Sequence, residues 1–231
     1  MNKQELEALA MEEIPLLEEQ IRNRFEHWAS TRYEEWTRSW NLAQRLKEHH
    51  LLKYAHSLRV ALKSEEILDF SHYLPRTGLY GGTLHDIGAI NTPIEILDKA
   101  WSIGIDKYGP YSLEDHEITK KHPLDGYKLC LENGLLMTAH IALTHQIFDI
   151  KDPYPKRSEL PPWPKEFESQ GARNTVMSNS RIVSLADKYD AYHRPNIPLT
   201  PAQIRQEMLN SNPDQLYFIT ELYEHGIFVT D

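Results

Sequence analysis

Histidine and aspartate recur in five short stretches of this chain, and both residue types bind divalent metal ions. Imidazole and carboxylate ligands suit Mn, Fe, Co, Ni and Zn when no thiolate competes for them. Cys130 is the single cysteine, which excludes a cysteine-rich zinc site and an intrachain disulfide. The candidate metal ligands are His56 in HSLRV, His85 and Asp86 in LHDIG, His122 in KHPLDG, His145 in IALTHQ and Asp187 in ADKYDA.

The adjacent pair His85-Asp86 suggests how such a site could hold two ions. Neighbouring residues on a helix point about 100° apart, so both can reach one metal only because their side chains differ in length. Asp86 has two carboxylate oxygens and can bridge to a second ion at roughly 3.5–4 Å, the spacing of two-metal phosphoryl-transfer sites. A single His-Asp dipeptide is a weak signal, whereas the ordered set of five stretches is far more specific.

Helical periodicity dominates the elements that must position these residues, so the sequence predicts an all-α fold. Leu17, Ile21 and Phe25 recur at four-residue intervals and form one apolar stripe. Residues 1–48 are predicted to form two amphipathic helices, interrupted early by Pro15. This N-terminal segment would cap the domain formed by residues 49–231 or serve as a dimerisation element, which leaves a homodimer open.

Helix boundaries are marked by local signals. Capping sequences begin at Thr92, Ser112 and Thr200, and Gly88 is placed to end the helix that carries His85 and Asp86. The segment 149–171 is rich in proline and predicts one long loop. Long loops in compact domains are often lids or binding loops. The predicted architecture is therefore a helical bundle with one long Pro-rich loop.

The composition of the chain indicates its cellular environment and the kinds of partner it can bind. Asp and Glu exceed Lys and Arg by 34 to 25, for a net charge of -9, which disfavours non-specific binding to DNA or anionic lipid. The acidic N-terminus lacks the apolar core of a signal peptide, and no apolar run approaches the roughly 20 residues that cross a bilayer. We therefore expect a cytoplasmic protein without DNA or membrane partners.

Taken together, the motifs resemble the HD phosphohydrolase superfamily and, within it, the HD-GYP branch of cyclic dinucleotide phosphodiesterases. The resemblance covers roughly residues 50–196. It extends beyond the candidate ligands to Pro93, Ile96, Leu97 and Lys99 after the His-Asp pair, to Tyr154-Pro155, and to Asp190, Ala191, Arg194 and Pro195 on the late helix. It implies an HD-domain helical bundle and hydrolysis of phosphodiester bonds in a cyclic dinucleotide or another small nucleotide or phosphorylated substrate.

The resemblance also implies a site that holds two divalent transition metal ions, with Fe or Mn favoured and Zn or Ni compatible. One ion would be held by four residues: His56, His85, Asp86 and Asp187. The other would be held by Asp86, His122 and His145, with Gln146 as a weaker oxygen ligand. Asp86 and Asp190 would be the catalytic carboxylates, with Asp190 orienting a histidine ligand or capping local backbone.

Several positions depart from the family pattern. Ala89 stands where the family has a lysine that meets the substrate phosphate, and Gln146-Ile147 stand where it has His and Glu. Phosphate contact would then fall to Arg194, whose fork binds oxyanions bidentately, or more weakly to Lys151 on the loop. Tyr154 would stack on a base.

Two other classes of function are compatible with the same residues. The substitutions at Ala89, Gln146 and Ile147 suit a nucleotide-sensing or interaction domain that retained its metal site and lost turnover. An HD-type di-iron oxygenase would use the same His/Asp set to activate oxygen.

Overall fold

The computed structural model describes residues 1–28, 33–101 and 111–229, and these residues form helices and loops without any strand. The all-α prediction is confirmed. Numbered in chain order, the α-helices are α1 Lys3–Trp28, α2 Tyr33–His49, α3 Leu51–Phe70, α4 Pro75–Leu84, α5 Ile94–Trp101, α6 Leu113–Thr119, α7 His122–Glu132, α8 Leu136–Thr144, α9 Gln170–Tyr192, α10 Pro201–Asn210 and α11 Leu216–Glu224.

Helix α3 lies at the centre of the bundle and packs against α1, α4 and α9. Buried residues, most of them apolar or small, occur on most sides of α3, which is the pattern of a helix enclosed by other elements. Leu58 belongs to the core cluster shared with α1, α2 and α4, while Ile67 belongs to the cluster shared with α9, α10 and α11. Each fully buried side chain of this kind contributes about 1.5–3 kcal/mol.

Two helices form from the first 48 residues, as predicted, but Pro15 does not interrupt them. It lies inside α1, which continues to Trp28. Proline removes one helical hydrogen bond, and here the carbonyl left free is that of Met11, which is exposed to water. The buried stripe Leu6, Ala10, Ile14, Leu17, Ile21 and Phe25 holds the helix together across this position. The division at residue 48 stays a prediction; α2 ends at His49.

The capping boxes at Ser112 and Thr200 are confirmed, and each side chain accepts a backbone N–H at the start of its helix. The expectation for Gly88 is wrong: α4 ends at Leu84, and Gly88 lies in the following 3-10 turn Ile87–Asn91. Gly88 is needed because this turn approaches the backbone of α7 closely. A Cβ at Gly88 would fall 2.0 Å from the carbonyl oxygen of His122, so only glycine lets this turn press against α7.

The long Pro-rich loop is confirmed between Phe148 and α9, and it contains only the short 3-10 turns Arg157–Glu159 and Lys165–Phe167. Trp163 anchors it, because its ring stacks on that of His140 with centroids 5.1 Å apart. Asp152, in the first part of the loop, binds α6. Its Oδ2 lies 3.0 Å from Nε2 of His116 and 2.7 Å from Nζ of Lys120, the residue that caps the C-terminus of α6.

Among the described residues, no helix combines the length and apolar character needed to cross a bilayer.

Candidate metal centre

The predicted ligands converge although they come from five separate stretches of chain. Five of the six side chains are buried, and that of Asp187 is 14% exposed. His56 comes from the middle of α3, His85 and Asp86 from the turn after α4, His122 from the first position of α7, His145 from the turn after α8, and Asp187 from α9.

On one side of the cluster, two histidines face Asp187. The Nε2 atom of His56 lies 3.0 Å from Oδ1 of Asp187, and that of His85 lies 3.8 Å from the same oxygen. Oδ2 of Asp86 completes this side, 3.4 Å from Nε2 of His85 and 3.6 Å from Nε2 of His56.

The other side of the cluster is built around the second oxygen of Asp86. Oδ1 lies 3.1 Å from Nε2 of His122 and 3.8 Å from Nε2 of His145. The two Nε2 atoms of His122 and His145 are 3.3 Å apart. The two oxygens of Asp86 thus face different pairs of histidines, which is the arrangement a bridging carboxylate requires.

All four histidines use the other ring nitrogen, Nδ1, for a hydrogen bond away from the cluster. His85, His122 and His145 each donate to the backbone carbonyl three residues earlier, at 2.7–2.8 Å. His56 pairs with Oδ2 of Asp190 at 2.6 Å. Because a carbonyl oxygen only accepts, the proton of the neutral ring is placed on Nδ1 and the lone pair on Nε2. Such outer partners are typical of metal-binding histidines.

The carboxylates of the cluster are ionised. Burial alone would raise the pKa of Asp86, but Lys53 and His85 hold it well below its ordinary value. Burial likewise opposes ionisation of Asp187, whose pKa is held well below its ordinary value by the adjacent His56 and His85. Asp86 is buried and Asp187 is only 14% exposed, and two ionised carboxylates beside four imidazoles favour a cation.

The pKa values of His85 and His145 shift in opposite directions beside these carboxylates. Burial would lower the pKa of His85, but Asp86 and Asp187 raise it to about 10, so a metal ion that binds here would displace a proton from its Nε2. Burial, together with the charges of His85 and His122, lowers the pKa of His145 to about 3. His145 is therefore neutral at physiological pH, the state in which imidazole binds a metal.

The residues present fit divalent metal ions. Among the described residues, the buried Nε2 atoms of His56 and His85 have no hydrogen-bond partner, a costly state that a bound cation would relieve. Two sets have donor atoms within 4.8 Å of one another: His56 with His85 and Asp187, and His85 with Asp86 and His145. The first set lies within the first predicted half. The second set takes Asp86 and His145 from the other half, includes His85 from the first and lacks His122, so the division of the ligands between two ions stays a prediction.

The other predicted residues lie at different distances from the cluster. Gln146 reaches it and donates its side-chain amide to Oδ2 of Asp187 at 3.0 Å. The Tyr154 ring lies 5.9 Å from that of His122, and burial, with added effects of Asp86 and Asp187, raises its pKa well above the ordinary value. Lys151 is exposed on the loop, and no contact of its side chain with the cluster is found in the described part of the chain.

Arg194 borders the cluster from the end of α9. Its guanidinium lies 3.9 Å from the centroid of the Trp101 ring, and its buried Nε has no hydrogen-bond partner among the described residues. Burial lowers its pKa, although Asp190, Asp187 and Asp86 oppose the shift. A buried guanidinium that faces carboxylates with a free donor is suited to an oxyanion.

Two cationic residues of α3 belong to the site but were not among the predicted site residues. Lys53 contacts Oδ2 of Asp86 through Nζ, and Arg59 donates to Asp190 through Nε at 2.5 Å. Both are three residues from His56, one on each side, so they lie on the same face of the helix. This spacing around His56, in the first half of α3, was the signal that could have identified them.

A comparison with protein families defines the class of this molecule. The family model described as HD domain matches residues 54–192, more than half of the chain and the part that carries every predicted metal ligand. The chain therefore belongs to the HD-domain family. This membership supports the expectation of a metal-dependent phosphohydrolase.

Solved structures agree on the fold. The chain is similar to the HD domain of the phosphodiesterase PgpH from L. monocytogenes, with 20% identity, a TM-score of 0.54, and coverage of 81% of this chain and 86% of that one. The same domain in complex with cyclic-di-AMP matches at 22% identity with the same TM-score and coverage. A comparison with curated proteins found no match.

Proposed function

We propose that this protein is a metal-dependent phosphohydrolase that cleaves a phosphodiester bond in a small nucleotide, with a cyclic dinucleotide as the favoured substrate. The observation that carries the proposal is the arrangement of four histidine Nε2 atoms around the two oxygens of Asp86. Each ring is held by its Nδ1 bond, so the ligand atoms need no rearrangement to receive cations.

The proposed ligands divide into two groups that share Asp86. His56, His85, Asp86 and Asp187 would hold one ion, and Asp86, His122 and His145 the other. Gln146, now bonded to Asp187, is the proposed additional oxygen ligand. Divalent cations at this place supply Lewis acidity for attack on phosphorus. Fe and Mn remain the proposed ions, because the donor set of imidazole and carboxylate suits them.

The cations of the chain would bind the phosphate. Lys53 and Arg194 both face the carboxylates of the cluster, and Lys53 would replace the lysine that the family places where Ala89 stands. Positive groups fixed at this place stabilise charge that develops on phosphate oxygens. Tyr154, beside His122, is the proposed platform for a base. Lys151, exposed on the loop, is a weaker candidate for phosphate contact.

Asp190 would act through His56 rather than on the substrate. Its Oδ2 bonds Nδ1 of His56, while its Oδ1 is bonded by Arg59. Asp190 is therefore proposed as a positioning residue, and Asp86 as the carboxylate at the reacting centre. The cyclic-di-AMP bound to the PgpH domain motivates the substrate proposal.

The proposal is tested by turnover of cyclic and linear dinucleotides with protein purified anaerobically and loaded with Mn²⁺ or Fe²⁺. We expect Asp86→Asn to lose more than about 100-fold in turnover, since loss of an outer partner alone typically costs 10–100-fold. Asp69→Asn is the matched control, because Asp69 is exposed on α3 away from the cluster. Tight nucleotide binding without products would instead favour the sensor hypothesis. An oxygen-dependent change in the iron spectrum would favour the oxygenase.

A further inference from the structure

A continuous series of polar contacts connects the N-terminal helix α1 to the candidate ligand His56. Nδ1 of His56 pairs with Oδ2 of Asp190 at 2.6 Å. Arg59 donates to both oxygens of Asp190, through Nε at 2.5 Å and Nη2 at 3.1 Å. Its remaining nitrogen, Nη1, donates to Oε2 of Glu13 at 2.8 Å. Glu13 belongs to α1, far from the family-matched region 54–192.

The contacts lead from solvent into the buried centre. Side-chain exposure falls from 38% at Glu13 to 27% at Arg59, 9% at Asp190 and 0% at His56. The two middle groups, Arg59 and Asp190, are each held by two neighbours. A planar guanidinium bonded on both sides cannot rotate freely, so Arg59 fixes the orientation of the Asp190 carboxylate.

The position of Glu13 is set by the packing of α1 and not by this ion pair alone. The adjacent Ile14 is buried in the core shared with α3. Two further polar contacts fasten the same helix: Lys3 to Asp98 at 2.8 Å, and Glu18 to the Tyr54 hydroxyl at 2.8 Å. Glu13 is therefore presented to Arg59 by a rigid element.

The charge of Glu13 affects how strongly His56 binds a metal, through Arg59 and Asp190. Asp190 holds the His56 proton on Nδ1, which leaves the Nε2 lone pair for a metal, and a more negative carboxylate makes the imidazole a stronger ligand. Arg59 partly neutralises that carboxylate. Glu13 draws part of the Arg59 charge away from Asp190 and also stops Arg59 from turning.

We infer that Glu13 is a positioning residue of the metal centre, acting on His56 through Arg59 and Asp190, so that α1 completes the site. This inference rests on the proposed function, because it assigns Glu13 to the same metal site. The alternative is an ion pair that contributes only to folding, as many partly exposed pairs do.

The first test compares Glu13→Gln with Glu12→Gln in the full chain. Glu12 is the exposed neighbour on the same helix, so both variants remove one negative charge from α1. The readout is the affinity of the metal-free protein for Mn²⁺ by calorimetry, with thermal unfolding measured alongside. We expect Glu13→Gln to weaken Mn²⁺ binding about three- to five-fold, the upper part of the range for a partly exposed pair. Glu12→Gln should match the wild type.

A double-mutant cycle with Arg59→Gln separates the relay from a general loss of stability. If Glu13 acts through Arg59, Glu13→Gln should have no further effect on Mn²⁺ affinity once Arg59 is replaced. Additive effects of the two substitutions would overturn the inference. So would an unchanged Mn²⁺ affinity in Glu13→Gln, whether or not its melting temperature falls. Absence of Mn²⁺ binding by the wild type would overturn the proposed function itself.

Discussion

At the scale of single residues, the four histidines of the cluster have one feature in common. Each ring makes a hydrogen bond through Nδ1 that sets its tautomer. For three of them the acceptor is a carbonyl three residues earlier, which local helical geometry supplies. His56 lies in the middle of α3, where the carbonyls are used by the helix itself, so its partner must come from another element. Asp190 on α9 provides it.

Lys53 is the residue whose role the sequence motifs did not suggest. It is 15% exposed and contacts Asp86, which is 3% exposed, so a positive charge lies directly beside the proposed bridging carboxylate. Ala89 leaves the site without the lysine that the family pattern places after the His-Asp pair. Lys53 supplies a cation from α3 instead.

We predict that Lys53→Met lowers kcat by roughly 100-fold at saturating metal, because one fixed group that stabilises transition-state charge is typically worth 10²–10³. Lys63→Met is the control, since Lys63 lies on the same helix with 22% exposure and pairs with Glu66. Steady-state kinetics with the best substrate from the nucleotide panel would measure both. Equal turnover in the two variants would show that Lys53 does not contact the transferred phosphate.

At the scale of elements, the site depends on how closely the turn after α4 approaches α7. This turn carries His85 and Asp86, and α7 begins at His122. Gly88 lets the two backbones meet, and Gly126 on α7 faces it. The 3.1 Å separation of Asp86 Oδ1 from His122 Nε2 is a consequence of this contact.

Gly88→Ala should therefore destabilise the fold by about 1–3 kcal/mol, the usual cost of overpacking, and weaken metal binding by moving His122. The matched control is Gly171→Ala at the start of α9, where an added Cβ meets nothing within 4 Å. That substitution should be neutral or stabilise by about 0.4–1 kcal/mol. Urea unfolding and Mn²⁺ titration of both variants would test this. A Gly88→Ala protein as stable as the control would disprove the steric argument.

At the scale of the whole molecule, the long loop is joined to the core by a histidine that titrates. His140 is 2% exposed, its Nε2 has no hydrogen-bond partner among the described residues, and its ring stacks on Trp163. Burial lowers its pKa from 6.5 to about 4. The folded protein therefore keeps His140 neutral over a pH range in which the unfolded chain protonates it.

We expect the free energy of unfolding to decrease at low pH because of His140. Because the unfolded chain binds the proton at higher pH, the contribution of His140 is present above pH 6.5 and is lost as the pH falls toward 4. The loss should be on the order of 2–3 kcal/mol, given about 1.4 kcal/mol per pKa unit. His140→Phe should show a smaller fall in melting temperature between pH 7 and pH 4.5 than the wild type. His225→Phe, at an exposed position, should behave as the wild type. Identical pH profiles for all three proteins would refute the assignment.

The sequence by itself determined the helical class, the two boxed helix starts at Ser112 and Thr200, and the set of histidines and aspartates that converge. These follow from local rules, because periodicity, capping and ligand chemistry depend on residue type and short spacing. The continuity of α1 through Pro15 did not follow, since the helix is maintained by core packing that outweighs one missing hydrogen bond.

Only the tertiary structure decided which charges support the site. Lys53 meets Asp86 across 33 residues, and Arg59 meets Asp190 across 131. Glu13 reaches Arg59 from a helix outside the family-matched region. The close approach at Gly88 also depends on two separate elements. Contacts of this kind arise when packed helices bring distant residues together, and no local pattern in the chain specifies their partners.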